Sequence, residues 1–416
     1  MRLYVLARNP TDSVTEGFLP AARRLGLDVT LLTDQPDAHR RGPAQATLKS
    51  SETSQTPETP EIPENLEILE CDVRDFRAVI SRISAHHPPA AVFTNSDHLQ
   101  TQAALAAEYF GLPGKDWRVA LRTKDKAQMR RHLAAAGADA VWSAELSADQ
   151  DPAELTALDV PFPCVVKPRE GVASEDVVLA EGPADLIRRC AEIQARRPGA
   201  ALVVEEYLAG ELCTLETLGD GRVRHVLGGF RTEVSPPPYF IEERMTFVPA
   251  HPEQVTAQVL AQLDVLGVGF GACHTEFVVA RGRARLIEVN YRAIGDQCDL
   301  LLAQLLDVPL FEHILRTHLG EPLPSDLGAR TDGRARLDYP CARSSGTLTA
   351  APRASEVTVG GVRLTYRPLR EVGERHELHG TNRDFLGVVR ATGTEQAAVD
   401  RAVADFLAEQ HWEITP

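Results

Sequence analysis

Short apolar runs and helical periodicities alternate along roughly the first quarter of the chain. Leu3-Tyr4-Val5-Leu6-Ala7 reads as a buried strand, broken by Asn9-Pro10. Phe18, Leu19, Ala22 and Leu25 recur at helical spacing up to Gly26, and Val29-Thr30-Leu31-Leu32 is a second strand. Strand, helix and strand in that order predict a parallel sheet with helices packed on it. Ala91-Val92-Phe93-Thr94 adds a strand, and a helix near 98–110 ends at Gly111 with Pro113 behind it. A first domain therefore closes near 118. Within it, residues 40–65 turn polar and rich in Pro, Ser and Thr. Such a segment buries too little apolar surface to offset its ordering entropy, so it is expected to be a flexible insertion.

Further along, Met129, Leu133 and Ala136 mark a helix ending at Gly137, and Phe162-Pro163-Cys164-Val165-Val166-Lys167 is a strand that ends on a lysine. Leu186, Cys190 and Ile193 mark another helix, and Leu202-Val203-Val204-Glu205-Glu206-Tyr207-Leu208 is a strand running into Ala209-Gly210. A helix is expected at 253–266. Leu301, Leu302, Leu305 and Leu306 line another that Pro309 interrupts, and a segment from Leu310 to Leu319 closes at Gly320. Beyond about 325 the pattern shifts to short strands and turns, with a last helix near 395–409. The pattern divides the chain into 1–118, 119–203, 204–325 and 326–416.

The stretch from Cys273 to Arg292 reads as two β-branched runs joined by a Gly-containing tip. A three-residue tip, 281–283, would set Glu276 opposite Glu288 and His274 opposite Asn290. A two-residue tip at Arg281-Gly282 would put the glutamates on opposite faces. In the first case one face carries His274, Glu276, Glu288 and Asn290, with Arg292 at the strand end. Two carboxylates and an amide oxygen suit Mg²⁺ that also holds phosphates. The alternative is the solvated face of a surface hairpin.

Composition narrows the partners. A net charge of −15 argues against a general nucleic-acid binder but not against a nucleotide held by a few lysines. Seven scattered cysteines, with no CxxC pair and no secretory signal in view, point to free thiols in a reducing cytoplasm. No apolar run reaches the ~20 residues of a membrane span.

Three further places carry candidate chemistry. Lys167 ends a buried strand, which is costly unless an anion meets it, and Gly171 to Ser174 follow in a loop able to turn N–H groups toward phosphate. The alternative is a lysine snorkelling at a sheet edge. Glu205 to Leu208 leave a strand as a linker that can offer backbone groups to an adenine edge, with Glu211 near enough for ribose, or they are a charged strand end. Lys124 and Lys126 sit at a helix start, where a cation opposes the macrodipole unless an anion is present.

The order and spacing of these pieces resemble the ATP-grasp superfamily, and within it the carboxylate–amine ligases. The likeness rests on Asp125-Lys126-Ala127-Gln128-Met129, Val165-Val166-Lys167-Pro168 with its loop, Val204 to Gly210, His274-Thr275-Glu276-Phe277 and Glu288-Val289-Asn290-Tyr291-Arg292. It spans roughly 1–325. It implies an N-terminal Rossmann-like α/β domain, a two-lobed α+β ATP-grasp unit and a C-terminal lid like that of L-amino-acid and siderophore-type ligases. It further implies that Lys126, Lys167 and Ser174 hold the phosphates of ATP, that Glu205 and Leu208 meet adenine, and that Glu276, Glu288 and Asn290 bind Mg²⁺ or Mn²⁺. Arg292, with Lys167, would stabilise the transferred phosphoryl group. A small carboxylate would form an acyl phosphate that an amine converts to an amide. A dipeptide-forming ligase and a kinase on the same scaffold are the alternatives, and related ligases are often dimers.

Departures from the family pattern matter. The loop reads Ser174-Glu175-Asp176 where a glycine is frequent at 176, and Gly295-Asp296-Gln297 stands where two glycines are usual. Asp296, Gln297, His274 and Arg231, the last within the Pro-rich loop expected at 230–240, are the candidate substrate residues. Glu211 lies one position early for a ribose ligand. Gly267-Val268-Gly269-Phe270-Gly271-Ala272 fits a dinucleotide fingerprint, but a helix precedes it and a strand follows, the reverse of what that motif needs.

Overall fold

A computed structural model describes residues 1–40, 65–328 and 332–416. The expected insertion at 40–65 lies almost wholly outside the described residues.

The N-terminal domain is the predicted parallel sheet, ordered Leu66–Glu70, Asp28–Thr33, Arg2–Leu6, Ala91–Phe93. Tyr4, Leu6, Leu32 and Val92 pack under the helices Phe76–Ser84 and Gln100–Tyr109 on one side. Leu3, Val5, Val29 and Leu31 face Phe18 and the helix Leu310–His318 on the other. Strands buried on both faces explain the unbroken apolar runs.

The rest is antiparallel. A four-stranded sheet runs Ser143–Leu146, Leu202–Glu206, Cys164–Pro168, Val178–Ala180, with the helix Pro183–Arg196 packed on it through Leu186, Cys190 and Ile193. The strand Leu202–Glu206 belongs entirely to this small sheet. The expected break between 203 and 204 therefore falls inside a strand, and the large lobe begins with Glu211–Asp220.

A ten-stranded sheet starts with Arg283–Asn290, Phe270–Ala280 and Glu211–Asp220, continues through Gly229–Val234 and Glu242–Val248, and does not stop near 325. Arg334–Asp338 pairs with Glu242–Val248, and Gly387–Gly393, Val362–Pro368 and Ser355–Val359 extend it. The C-terminal residues thus share a sheet with the large lobe, which fixes their turns against the cleft. The helices Glu253–Leu266 and Gln396–Glu409 lie where periodicity put them. Gly267, at φ +84°, closes the first, so the glycine run before the hairpin is a helix exit. Among the described residues no helix is long and apolar enough to cross a membrane.

Candidate active site

One cleft between the small sheet and the first strands of the large sheet draws its lining from every part of the chain. Asp97 comes from the N-terminal domain, Lys167 and Ser174 from the small lobe, Glu276 and Glu288 from the hairpin, and Asn382 from the C-terminal region.

The hairpin reaches the predicted pairing by an unpredicted route. Ala280 faces Arg283, so the tip is the two residues Arg281-Gly282, at φ +52° and +74°. Positive φ at both tip residues matches the twist of a two-residue hairpin. The three-residue tip is therefore corrected. Pairing continues to Phe277 opposite Leu286, and then Glu276 faces Glu288, leaving Ile287 as an unpaired bulge. The core dictates this slip. Ala284 and Leu286 pack beside Phe277, and so do Val289 and Tyr291, which means the apolar phase advances by one residue at 287. The bulge returns Glu288 to the face of Glu276, sets Asn290 opposite His274, and adds Ile287 to the cleft wall.

The donor set fits a hard cation that is completed by phosphate. Asn290 Nδ2 lies 3.3 Å from Glu276 Oε1. Lys126 Nζ lies 3.0 Å from Glu288 Oε1, and His274 Nε2 3.4 Å from Glu276 Oε1. Among the described residues no three His, Cys, Asp or Glu side chains converge on a metal position. Two carboxylates and one amide form an incomplete shell, as expected where Mg²⁺ is shared with a nucleotide. Burial opposes ionisation of Glu276, but His274, Lys126 and Arg292 hold it below the usual carboxylate value. Burial also opposes the charge on His274, yet Glu216, 2.8 Å from Nδ1, and Glu276 raise it to about 10.

Asp125 caps the helix Lys126–Ala135 by accepting from the Gln128 N–H, which puts Lys126 at its first position and Arg130 one turn on. Both point inward. Lys126 meets Glu288 and the Gly171 carbonyl, and Lys124 reaches the same carbonyl at 3.3 Å. Arg130 takes Glu205 with both arms at 2.9 Å, and Lys167 Nζ lies 2.8 Å from the same carboxylate. Burial would raise the Glu205 pKa, but Arg130 and Lys167 outweigh it and bring it to about 2. The Glu205 side chain is thus held by two cations, and the residue lines the cleft. Leu208 lines the cleft as expected, with Val165, Leu212, Val278 and Ile287 forming apolar walls.

Arg292 is held from the N-terminal domain. Its Nε and Nη2 each lie 2.7 Å from Asp97 Oδ2, and Nη1 donates to the Ala293 carbonyl at 2.9 Å. Burial opposes the Arg292 charge, but Asp97 more than restores it. Asp97 and Arg130 were missed by the sequence reading, although Arg130 lies between Met129 and Leu133 on the buried helix face.

Other expectations divide. Asp296 lines the cleft at φ +55°. Gln297, at φ +72°, is buried and donates to Asp12 Oδ2 at 2.5 Å, outside the lining. Positive φ at both positions explains why glycines are usual there. Asp176, at φ +56°, also holds a glycine conformation, and Arg196 and Arg197 secure its carboxylate. Arg231 and Glu211 do not reach the cleft. Their strands pair Arg231 with Cys213, whose side chain enters the core on the opposite sheet face, and the two side chains bind each other at 2.5 Å, half-exposed. Both assignments are corrected. Glu242 was also missed. It lines the cleft, where burial and the charges of Glu276 and Asp296 push it up to about 8.

Residues 160–300 match the family model of the ATP-grasp domain. The chain carries an ATP-grasp domain. The likeness to solved structures extends over the whole length of the chain. L-amino acid ligase from Bacillus licheniformis is similar at TM-score 0.77 and 20% identity, covering 100% of this chain and 99% of that one. Phosphoribosylglycinamide synthetase from Anaerococcus prevotii is similar at TM-score 0.70 and 14% identity, covering 100% and 99%. At these identities the likeness establishes the fold. In sequence, the chain is 27% identical over 350 residues to the uncharacterized protein y4rH of Sinorhizobium fredii, covering 81% of this chain and 70% of that protein.

Proposed function

We propose that this ATP-grasp protein is an Mg-ATP-dependent ligase that joins a small carboxylic acid to an amine and releases ADP and phosphate. The observation that carries this reading is the meeting of Lys126, Lys167, Arg292, Glu276, Glu288 and Asn290 in one cleft.

A substrate carboxylate oxygen would attack the γ-phosphorus, and the bond to the bridging oxygen would break with its electrons going to ADP. An amine nitrogen would then attack the acyl carbon, phosphate would leave with the C–O electrons, and the amine would lose a proton. Bound metal would offset phosphate charge. Lys126 and Lys167, each already on a carboxylate, would take phosphate oxygens on their remaining N–H groups. Arg292 has two nitrogens turned to Asp97, so its guanidinium is fixed before substrate arrives. Fixed charge of this kind stabilises a transition state without reorganisation.

Asp296 and Glu242 line the same cleft, which favours a substrate bearing an ammonium group. This supports an amino acid as one partner, as does the structural likeness to an L-amino acid ligase. A place in siderophore or other specialised metabolism is the finer reading, carried by the C-terminal resemblance alone. ADP release screened over amino acids, citrate and 2-oxo acids tests the proposal. ADP release that requires both an acid and an amine supports it, whereas release indifferent to any acid contradicts it.

A further inference from the structure

Three contacts meet at Asn382. It begins a short turn, Asn382–Asp384, that is rigidly built: the fully buried Asp384 carboxylate accepts from the backbone N–H groups of His379, Gly380 and Thr381 at 2.9, 2.6 and 3.3 Å. From this base Asn382 reaches in two directions. Its Nδ2 donates to Glu242 Oε2 at 3.0 Å, and its Oδ1 accepts from the Glu242 backbone N–H at 3.1 Å. Its own backbone N–H donates to the Ala173 carbonyl at 3.4 Å. The next residue, Arg383, pairs with Glu175.

Ala173 and Glu175 lie in the loop that follows Lys167. Ala173, Ser174 and Asp176 all hold positive φ without being glycine, a conformation that persists only where surrounding contacts over-determine it. Arg196 and Arg197 supply such contacts from within the small lobe, whereas Asn382 and Arg383 supply them from across the cleft. The reciprocal bond to Glu242 anchors the turn to the cleft floor, because Glu242 starts the strand Glu242–Val248 of the large sheet.

We propose that Asn382 is a positioning residue that ties the phosphate loop of the small lobe to the substrate end of the cleft through Glu242. A nucleotide beneath the loop and a substrate against Glu242 then share one mechanical joint, and each biases the other's binding. This inference rests on the ATP-binding reading of the cleft.

Binding of MgADP to wild type, Asn382→Ala, Glu242→Ala and the double variant tests it, with hydrogen exchange across 171–177 as the second readout. Asn382→Ala retains the backbone N–H to Ala173, so a local contact argument predicts no change. The joint predicts a Kd about 5–20-fold higher and faster exchange in the loop. The double variant should be no weaker than the weaker single variant, because both substitutions break one link. Asn382→Asp, nearly isosteric, should weaken binding in the same direction and replaces the alanine variant if that does not fold. Unchanged MgADP affinity in a folded Asn382 variant, or effects that multiply in the double variant, overturns the inference. Failure of wild type to bind MgADP overturns the ATP reading itself.

Discussion

Glu276 and Glu288 stand opposite each other although their strands are joined by a two-residue tip, because Ile287 is bulged out of the pairing between them. A hairpin with an even tip and no bulge would have sent Glu288 into the core beside Leu286. The bulge serves the core and the cleft together, keeping Val289 and Tyr291 inside while Glu288 and Ile287 face the cleft.

Deletion of Ile287 should therefore leave Glu276 opposite Glu288 and remove only an apolar wall. Partial loss of such a contact is worth about 1–2 kcal/mol. Nucleotide affinity should fall about 5–30-fold, while ADP formation at saturating ATP still depends on Mg²⁺. Loss of that metal dependence in a folded variant would show that the bulge itself holds the glutamates.

Asp97 orients Arg292 without any need to touch the reacting atoms. Asp97→Asn should keep the shape of the contact and weaken the orientation, lowering kcat about 10–100-fold with the KM for ATP changed by less than about 3-fold. Steady-state ADP release at varied ATP separates the two constants. A pure KM effect would mean that Arg292 holds ground-state nucleotide only.

Glu205 is a stability centre. Leaving Arg130 and Lys167 without their shared carboxylate should cost about 3–5 kcal/mol, so Glu205→Gln should unfold at clearly lower urea concentration. The Glu205 pKa is depressed on folding from 4.5 to about 2. Its contribution is therefore complete above pH about 4.5 and is lost as pH falls toward 2. Urea unfolding across that range should show wild type and Glu205→Gln converging as pH drops.

The incomplete shell at Glu276, Glu288 and Asn290 predicts that metal and nucleotide bind together. Calorimetry should find weak Mg²⁺ binding alone and tight binding with ADP present. Glu288→Gln should remove most of the metal-dependent turnover, and unchanged turnover would exclude the assigned metal role.

Much of this was legible in the chain because hydrophobic periodicity reports burial, and burial fixed the N-terminal sheet, the long helices and the two hairpin strands. The motif order located Lys126, Lys167, Glu276, Glu288, Asn290 and Arg292. The bulge was written in the shift from Ala284 and Leu286 to Val289 and Tyr291, a break in the two-residue period that a count of tip residues ignores. Asp97 follows the carboxyl end of the buried strand Ala91–Phe93, where α/β sheets place their ligands, but nothing local tied it to a residue 195 positions away. Arg231 and Glu211 were misplaced because strand parity alone decides which face they take, and the register of Gly229–Val234 against Glu211–Asp220 is set by tertiary pairing.

The acyl phosphate is the intermediate that separates a ligase from a kinase in this cleft. Hydroxylamine added to enzyme, Mg-ATP and an accepted acid, without the amine, measures it directly. A hydroxamate should form in proportion to ADP and be absent in Arg292→Ala. ADP formed with a stable phosphorylated product and no hydroxamate would contradict the ligase reading and assign the cleft to a kinase.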